Sequence, residues 1–212
     1  MSILKNYNYI SNTIKSISNK TTLIVSTKTQ SLDNLNLLIK ANHRDFGENR
    51  VQEAILKWSN IVLRHPQLKL HLIGKLQSNK AKAAFNIFDY IHTLDNDKLA
   101  EIFSKLESSS KKKIKYFIQV NLGNELNKNG ISIDKLNTFI KYCINDLKLN
   151  IIGLMCIPPI DDDPNKYFQN LAELAKVNKL NDLSMGMSND YECAIKNGAT
   201  FVRIGSKIFS SD

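Results

Sequence analysis

The stretch D-L-S-M-G-M-S-N-D-Y-E-C-A-I-K-N-G-A-T-F-V-R-I-G-S, residues 182–206, contains the pattern that decides the fold. Two short runs of apolar or β-branched character, D-L-S-M (182–185) and F-V-R-I (201–204), flank an amphipathic segment at residues 188–197. Short runs of this kind are typical of buried strands, and the segment between them has helical spacing. The stretch therefore predicts a strand, a crossover helix and a second, parallel strand.

The same alternation extends through the rest of the chain. Six further strand candidates precede this stretch: T-L-I-V-S (22–26), H-R-D-F (43–46), K-L-H-L-I (69–73), Y-I-H (90–92), Y-F-I-Q-V (116–120) and I-I-G-L-M (151–155). Amphipathic segments separate them, near residues 31–41, 48–59, 78–86, 96–107, 132–146 and 164–177. An additional helix is predicted over residues 3–18, where five apolar side chains share one face: Ile3, Tyr7, Ile10, Ile14 and Ile17.

Eight strand candidates with seven helices between them predict a sheet that closes on itself. Strict β-α alternation favours a parallel sheet, and eight units favour a (β/α)8 TIM barrel. The predicted fold is a single α/β barrel domain over residues 1–212, in which residues 1–20 form an additional N-terminal helix packed on the barrel. An open doubly wound sheet is the alternative, but the first predicted strand is not followed by a G-x-G-x-x-G motif.

The composition is that of a globular protein with a basic balance. Hydrophobic residues make up 42% of the 212 positions, which is enough to bury a sizeable core. The net charge of +9 raises the hypothesis of a nucleic-acid-binding module. However, 25 Lys, 25 Ile and 25 Asn beside 4 Arg indicate drift toward AT-rich codons, and no nucleic-acid-binding motif is found. We therefore expect no nucleic-acid partner.

The cysteines and the hydropathy pattern bear on the compartment. Cys143, Cys156 and Cys193 cannot all pair, and they show no metal-ligand spacing. The longest uncharged apolar stretch, residues 151–160, has ten residues with two prolines, too few to span a membrane. The first ten residues lack the layout of a signal peptide. We expect a reduced, soluble, cytoplasmic protein without metal or membrane contact, and a monomer.

In a barrel, the segments that follow the strands converge on one mouth, where barrel enzymes place their chemistry. The last two such segments, S-M-G-M-S-N-D and R-I-G-S, offer hydroxyls and exposed backbone N–H groups that suit a phosphate, with ordinary helix capping as the alternative. Lys28 ends the first strand, where a partly desolvated amine could attack a carbonyl, although an exposed rim lysine remains open. Arg203 lies inside an apolar strand and needs an acceptor, either a ligand or a structural salt bridge.

A phosphate-binding region opposite a lysine amine is what pyridoxal 5′-phosphate (PLP) requires of a protein. Other segments expected at the mouth are Gly47-Glu48-Asn49 and His92-Thr93, and Leu76 and Met185 could wall a flat ring. His71 and His92 form no metal-ligand spacing, so we expect core or rim histidines.

Eight segments, in this order and spacing, resemble one known family. They are V-S-T-K-T (25–29), F-G-E-N-R-V-Q-E (46–53), H-L-I-G-K-L-Q-S-N-K (71–80), V-N-L (120–122), G-L-M-C-I-P-P (153–159), S-M-G-M-S-N-D (184–190), A-I-K-N-G-A-T (194–200) and V-R-I-G-S-K-I-F (202–209). Over residues 22–209 the chain resembles the pyridoxal-phosphate homeostasis proteins of the YggS/PROSC type, which are similar to a lone alanine-racemase barrel.

This resemblance implies a cofactor and the residues that hold it. PLP would be bound covalently as an internal aldimine on Lys28. Asn49, Ile73 and Gly74 would lie near the ring, Met155 would pack against it, and Arg203 would face the pyridine nitrogen. The phosphate would be held by Ser184, Gly205 and Ser206. An arginine at the pyridine nitrogen disfavours protonation there, so the ring would be a weak electron sink.

The resemblance also implies a role without established turnover. Members of the family are thought to buffer PLP or deliver it to apo PLP enzymes, and so to affect amino-acid and keto-acid balance. The alternative function is a weak PLP-dependent amino-acid racemase. Racemisation needs an acid or base on each face of the substrate carbon, and no opposing tyrosine is evident at the mouth.

Three departures from the family pattern stand out. Thr27 separates Ser26 from Lys28, where the usual pattern runs Ser-Lys directly. Arg50 stands where an aromatic residue is common. The tail I-F-S-S-D replaces the usual I-F-G.

Overall fold

The computed structural model describes residues 2–123 and 129–210. The strands in these ranges are β1 (Thr22–Ser26), β2 (Asp45–Glu48), β3 (Lys69–Leu72), β4 (Tyr90–Leu94), β5 (Lys115–Asn121), β6 (Ile131–Ser132), β7 (Ile151–Met155), β8 (Asp182–Ser184) and β9 (Phe201–Ile204). The α-helices are α1 (Ile3–Ile17), α2 (Leu32–Lys40), α3 (Val51–Arg64), α4 (Ala81–Ile87), α5 (Asp97–Ser108), α6 (Ile133–Lys141), α7 (Pro164–Val177), α8 (Tyr191–Lys196) and α9 (Ser206–Phe209).

Eight of these strands form a closed parallel barrel. Each strand pairs with the next around the ring in the order β1, β2, β3, β4, β5, β7, β8, β9. The ring is complete because β9 also pairs with β1, over residues 201–204 and 22–25. Within the described residues, the short β6 pairs only with the end of β5 and lies outside the ring. The predicted (β/α)8 barrel is confirmed, and the open doubly wound sheet is wrong.

The barrel wall separates two buried regions, because successive residues of a strand point to opposite sides of a sheet. In β1, Leu23 and Val25 join a large apolar cluster between the strands and the helices, which we call the outer layer. Ile24, between them, faces the other way and lies against Gly47 inside the barrel. We call this enclosed space the barrel interior, and its upper end is the mouth.

Some boundaries differ from the sequence prediction for local reasons. The second strand is Asp45–Glu48 rather than residues 43–46, because Asn42 adopts a positive φ of 66° and the N–H of His43 bonds back to the carbonyl of Leu38, closing α2. Consequently α3 begins at residue 51 rather than 48. The fourth strand runs to residue 94, so the pair predicted to follow it, His92 and Thr93, lies within it.

The segment predicted as one helix over residues 132–146 is divided. The α-helix α6 ends at Lys141, and a π-helical turn, Tyr142–Asp146, follows it. The N–H of Leu147 bonds to the carbonyl of Tyr142, five residues earlier, as a π-turn requires. The two-residue β6 was not predicted, since it is too short to produce a period-two pattern.

The N-terminal helix α1 packs on the outside of the barrel. The hydroxyl of Ser2 caps it, and Ile10 and Ile14 are buried in the outer layer. The amide nitrogen of Asn6 donates to the carbonyls of Ile208 and Ser210, which ties this helix to the other end of the chain. Across the described residues, every helix is too short or too polar to cross a membrane.

Candidate functional site

A cavity of about 750 Å³ opens at the carboxyl ends of the barrel strands. Of the site residues predicted from the sequence, six line this cavity: Lys28, Asn49, Ile73, Arg203, Gly205 and Ser206. The other three, Gly74, Met155 and Ser184, do not line it. The structure thus brings together two-thirds of the predicted set and places the rest behind or beneath the wall.

The end of β1 presents alternate side chains to the cavity. Ser26 and Lys28 both line it, whereas Thr27 is fully buried on the opposite side of the wall. The Lys28 side chain is exposed to the cavity mouth, and it has no hydrogen bond or ion pair to any described residue. The extra threonine in the sequence motif therefore leaves the lysine on the cavity side of the strand.

Thr27 is held in place by Glu48 from the neighbouring strand. The Thr27 hydroxyl donates to Glu48 Oε1 at 2.6 Å. The same oxygen accepts from Lys57 Nζ at 2.8 Å and from Trp58 Nε1 at 2.9 Å, both on α3. Glu48 is therefore directed toward the helices, and its expected place at the mouth is wrong. These contacts fix the end of β1 directly before Lys28.

Glycine permits a close approach next to the cavity wall. A Cβ added at Gly74 would lie only 2.3 Å from the carbonyl oxygen of Asn49. Because any side chain there would displace this backbone, Gly74 supports the cavity-lining Asn49 from behind without lining the cavity itself. Its carbonyl in turn accepts from the Thr93 hydroxyl at 2.8 Å.

Arg203 supplies a buried positive charge to the cavity. The residue is 5% exposed; its Nη1 donates to Ser184 Oγ at 2.7 Å and its Nη2 donates to the carbonyl of Cys156 at 3.0 Å. Among residues 2–123 and 129–210, no carboxylate forms an ion pair with it. Burial lowers the pKa of Arg203 below its usual value. The structural salt bridge, which the sequence left open as the role of Arg203, is therefore not formed within the described residues.

Two serine hydroxyls meet on the wall formed by the last two loops. Ser206 Oγ donates to Ser188 Oγ at 2.8 Å, and both residues line the cavity. A Cβ added at Gly205 would approach the carbonyl of Ser26 to 3.0 Å, so this glycine lets the last loop lie against β1. Ser188 was not among the site residues implied by the resemblance, although it belongs to the S-M-G-M-S-N-D segment predicted to offer hydroxyls at the mouth.

Ser184 and Met155 lie deeper than the sequence indicated. Both side chains are fully buried. The Ser184 hydroxyl is engaged by Arg203 and by His92 Nδ1, each at 2.7 Å. Leu76 and Met185, considered as walls for a flat ring, pack in the outer layer.

The remaining reactive groups do not form a second site. The described residues contain no group of three His, Cys, Asp or Glu side chains able to hold a metal ion. Cys143, Cys156 and Cys193 are free. Burial raises the pKa of the Cys156 thiol, which lies nearest to Arg203, to about 12, so it stays protonated at neutral pH.

Comparison with known proteins places this cavity in a family. Residues 2–211 match the family described as alanine racemase, N-terminal domain. The pyridoxal phosphate homeostasis protein of Vibrio cholerae is 38% identical over 197 residues, covering 88% of this chain and 84% of that protein. The protein of the same name from Escherichia coli is 32% identical over 204 residues, covering 90% and 85%.

Solved structures agree with these sequence matches. PipY of Synechococcus elongatus, solved with PLP bound, is 32% identical and superposes with a TM-score of 0.88 over 99% of this chain and 100% of its own. The alanine racemase of Corynebacterium glutamicum shares the fold, with a TM-score of 0.73 at 14% identity, and this chain covers 62% of it. The chain therefore belongs to the family of pyridoxal phosphate homeostasis proteins, built on the N-terminal barrel of alanine racemase.

Proposed function

We propose that this protein binds PLP in the cavity at the barrel mouth and acts in intracellular PLP homeostasis without catalysing a reaction of its own. The observation that carries the proposal is that one cavity is lined both by the Lys28 amine, which has no partner among the described residues, and by the buried Arg203 guanidinium, which has no ion-pair partner there. Membership in a family named for PLP homeostasis, with a PLP-bound member of the same fold, supports it.

The residues present fit the chemistry of PLP. Bound PLP supplies an aldehyde that reacts with amines and a ring that withdraws electrons. Lys28 Nζ, accessible and without a partner among the described residues, is suited to form an imine bond with the aldehyde carbon, which releases one water. Arg203, donor-only and positively charged, is suited to the ring nitrogen and would keep it unprotonated.

The phosphate would be held at the wall formed by the last two loops. Ser206 and Ser188 offer hydroxyls there, and Gly205 leaves its backbone accessible. The resemblance implied that Ser184 holds the phosphate. Because its hydroxyl oxygen accepts a hydrogen bond from Arg203, its proposed role is to support the arginine instead. Asn49, Ile73, Gly74 and Met155 would shape the cavity around the ring or from beneath it.

Turnover as an amino-acid racemase is the weaker candidate. A second acid or base would have to face Lys28 across the substrate carbon. The described cavity lining contains Asp162 and Asp190 but no tyrosine or histidine. Asp162 is engaged by Lys166 and Tyr167, and Asp190 accepts the N–H of Met187 at 2.6 Å. Both carboxylates thus serve local structure, which favours storage and delivery over catalysis.

The test is an absorption spectrum of purified protein with and without added PLP, before and after borohydride reduction. Wild type should gain a visible band that borohydride abolishes, with the reduced cofactor found on the peptide containing Lys28. Lys28→Ala should lose the band, and Lys20→Ala, an exposed lysine before β1, should keep it. A wild-type protein that stays colourless in excess PLP would refute the proposal.

Delivery to apo PLP enzymes is proposed as the physiological use. The protein should activate an apo PLP enzyme in the presence of a phosphatase that destroys free PLP, and Lys28→Ala should not. Activation no better than by free PLP would leave storage as the role. We further propose a single-domain, cytoplasmic monomer without nucleic-acid affinity, which light scattering and a salt-dependent DNA-binding assay would check.

A further inference from the structure

A continuous chain of hydrogen bonds crosses the barrel interior beneath the cavity. Arg203 Nη1 donates to Ser184 Oγ at 2.7 Å, and Ser184 Oγ lies 2.7 Å from His92 Nδ1. His92 Nε2 lies 3.0 Å from His71 Nδ1, and His71 Nε2 lies 3.1 Å from Asp45 Oδ1. This hydrogen-bond chain joins five strands. It runs from the mouth, at Arg203, to the first residue of β2 at the opposite end of the barrel.

The two ends of this chain dictate the direction of every bond. A guanidinium can only donate, and an ionised carboxylate can only accept. His71 must therefore carry its proton on Nε2, facing Asp45, which leaves its Nδ1 to accept from His92 Nε2. His92 Nδ1 then accepts from Ser184, whose oxygen accepts from Arg203. With both histidines neutral, this is the single arrangement that satisfies all five groups.

The surroundings keep both histidines neutral. His71 and His92 are fully buried, and burial lowers the pKa of each below 6.5. The charged groups facing them differ at the two ends: Asp45, Asp89 and Lys69 act on His71, while Arg203 acts on His92. The His71 ring stacks on Tyr90 at 4.3 Å, and the His92 ring stacks on Phe117 at 4.4 Å, which fixes both ring planes.

The hydrogen-bond chain explains how the buried Arg203 is held, although no carboxylate of the described residues forms an ion pair with it. A hydroxyl that donates its own proton is a stronger acceptor, because successive hydrogen bonds polarise one another. Ser184 is such an acceptor for Arg203, and Asp45 is the carboxylate on which the polarisation ends. The positive charge at the mouth therefore stays available to a ligand, whereas a neighbouring carboxylate would neutralise it.

We propose that this hydrogen-bond chain positions the Arg203 guanidinium for the cofactor. His92, His71 and Asp45 are then positioning residues, although none of them lines the cavity. The inference rests on the proposed function, since the ligand of Arg203 is taken to be PLP. It adds that the affinity and the spectrum of bound PLP depend on residues as far away as the opposite end of the barrel.

The first test uses the cofactor-free protein and does not depend on PLP binding. Nitrogen-15 NMR of the imidazole rings should show His71 and His92 both as neutral Nε2–H tautomers. His92→Phe, which preserves a ring against Phe117 but removes both nitrogens, should shift the side-chain Nε–Hε signal of Arg203. An Nδ1–H tautomer at either histidine, or an unmoved Arg203 signal, would contradict the proposal.

The second test measures the Kd for PLP and the absorption maximum of the bound form. His92→Phe should raise Kd about tenfold, roughly the contribution of one hydrogen bond to a charged group, and shift the band. Asp45→Leu removes the final acceptor and should raise Kd about threefold, the scale of a weakened rather than a lost hydrogen bond. Asp45→Asn keeps an acceptor and should restore most of the affinity.

His43→Phe is the matched control. His43 is also a buried histidine, but it bonds to Tyr7 and to the backbone carbonyl of Asp45, and not to the Asp45 carboxylate that ends the hydrogen-bond chain. It should lower thermal stability without changing Kd or the spectrum. If wild type binds no PLP, the proposed function fails while the NMR test still decides the hydrogen-bond chain. If wild type binds PLP and His92→Phe leaves Kd and spectrum unchanged, this inference fails alone.

Discussion

The outer layer and the barrel interior are both buried, but the interior mixes apolar side chains with hydrogen-bonded polar ones. The outer layer is a continuous apolar cluster that includes Leu38, Phe103 and Val202. The interior, one residue away along the same strands, holds His71, His92 and other groups linked by hydrogen bonds. The difference indicates that the outer layer supplies stability through buried apolar area, while the interior positions the groups at the mouth.

Acidification should produce the largest change in the free energy of unfolding, because it acts on several buried histidines together. Burial lowers the pKa of His71 and His92 in the interior, and it lowers that of His43, behind the wall, to about 4. These groups are neutral when folded but protonate near pH 6.5 when unfolded, so the unfolded chain binds more protons below pH 6.5. Stability should be complete above that pH and fall toward pH 4, by about 1.4 kcal/mol per pH unit for each group.

Urea unfolding at pH 7.5 and pH 5.5 measures this loss. Each histidine that is removed should lower the number of protons taken up on unfolding by one. His43→Phe should do so without altering the barrel interior, whereas His71→Phe removes a histidine of the interior itself. A free energy of unfolding that does not change between these pH values would show that the buried histidines are not held neutral.

A matched pair of leucines tests the outer layer. Leu38 is completely buried in it, whereas Leu56 on α3 is 88% exposed. Leu38→Ala should lower the free energy of unfolding by about 2–5 kcal/mol, because it removes buried methyl groups and leaves a cavity. Leu56→Ala should change it by less than about 0.5 kcal/mol.

Chemical denaturation of both leucine variants, with PLP titration of the folded protein, checks this expectation. The Kd for PLP should be unaffected in either variant, since neither residue touches the interior. A large rise in Kd for Leu38→Ala would break the division between the two regions.

Replacement of Arg203 should have the reverse effect to Leu38→Ala. It should weaken PLP binding strongly and change the free energy of unfolding only slightly. Arg203→Leu removes a buried charge without an ion-pair partner in the described chain, so the lost hydrogen bonds and the relieved desolvation should offset to within about 1 kcal/mol. The Kd for PLP should rise at least about tenfold. Arg50→Leu is the control, since Arg50 is exposed and, among the described residues, forms an ion pair only with Glu53; its Kd and stability should match wild type.

The fold was accessible from the sequence because each strand of a parallel barrel is a contiguous apolar run. Runs such as residues 22–26, 151–155 and 201–204 coincide with observed strands. The end of α2 and the later start of α3 could not be predicted from the sequence. They depend on the positive φ of Asn42 and on the outward direction of the Glu48 side chain. Both are decided by packing against neighbouring elements.

The site was predictable where a residue ends a strand and not where it contacts another strand. Lys28 and Ser206 follow strands directly, and alternation along the chain is enough to place them at the mouth. The contacts of Ser184 and His92 require the register of strands that are about 90 residues apart in sequence. A single sequence holds no signal for that pairing, so the hydrogen-bond chain was visible only in three dimensions.

The pairing of β1 with β9 has a consequence for synthesis on the ribosome. Strand β1 finds its second neighbour only when β9 has been translated, and Asn6 finds the carbonyls of Ile208 and Ser210 later still. Until then one edge of β1 has unpaired backbone groups, which makes nascent chains prone to aggregate. Barrel closure must therefore wait until β9 has left the exit tunnel, and we expect nascent chains to depend on chaperones up to that moment.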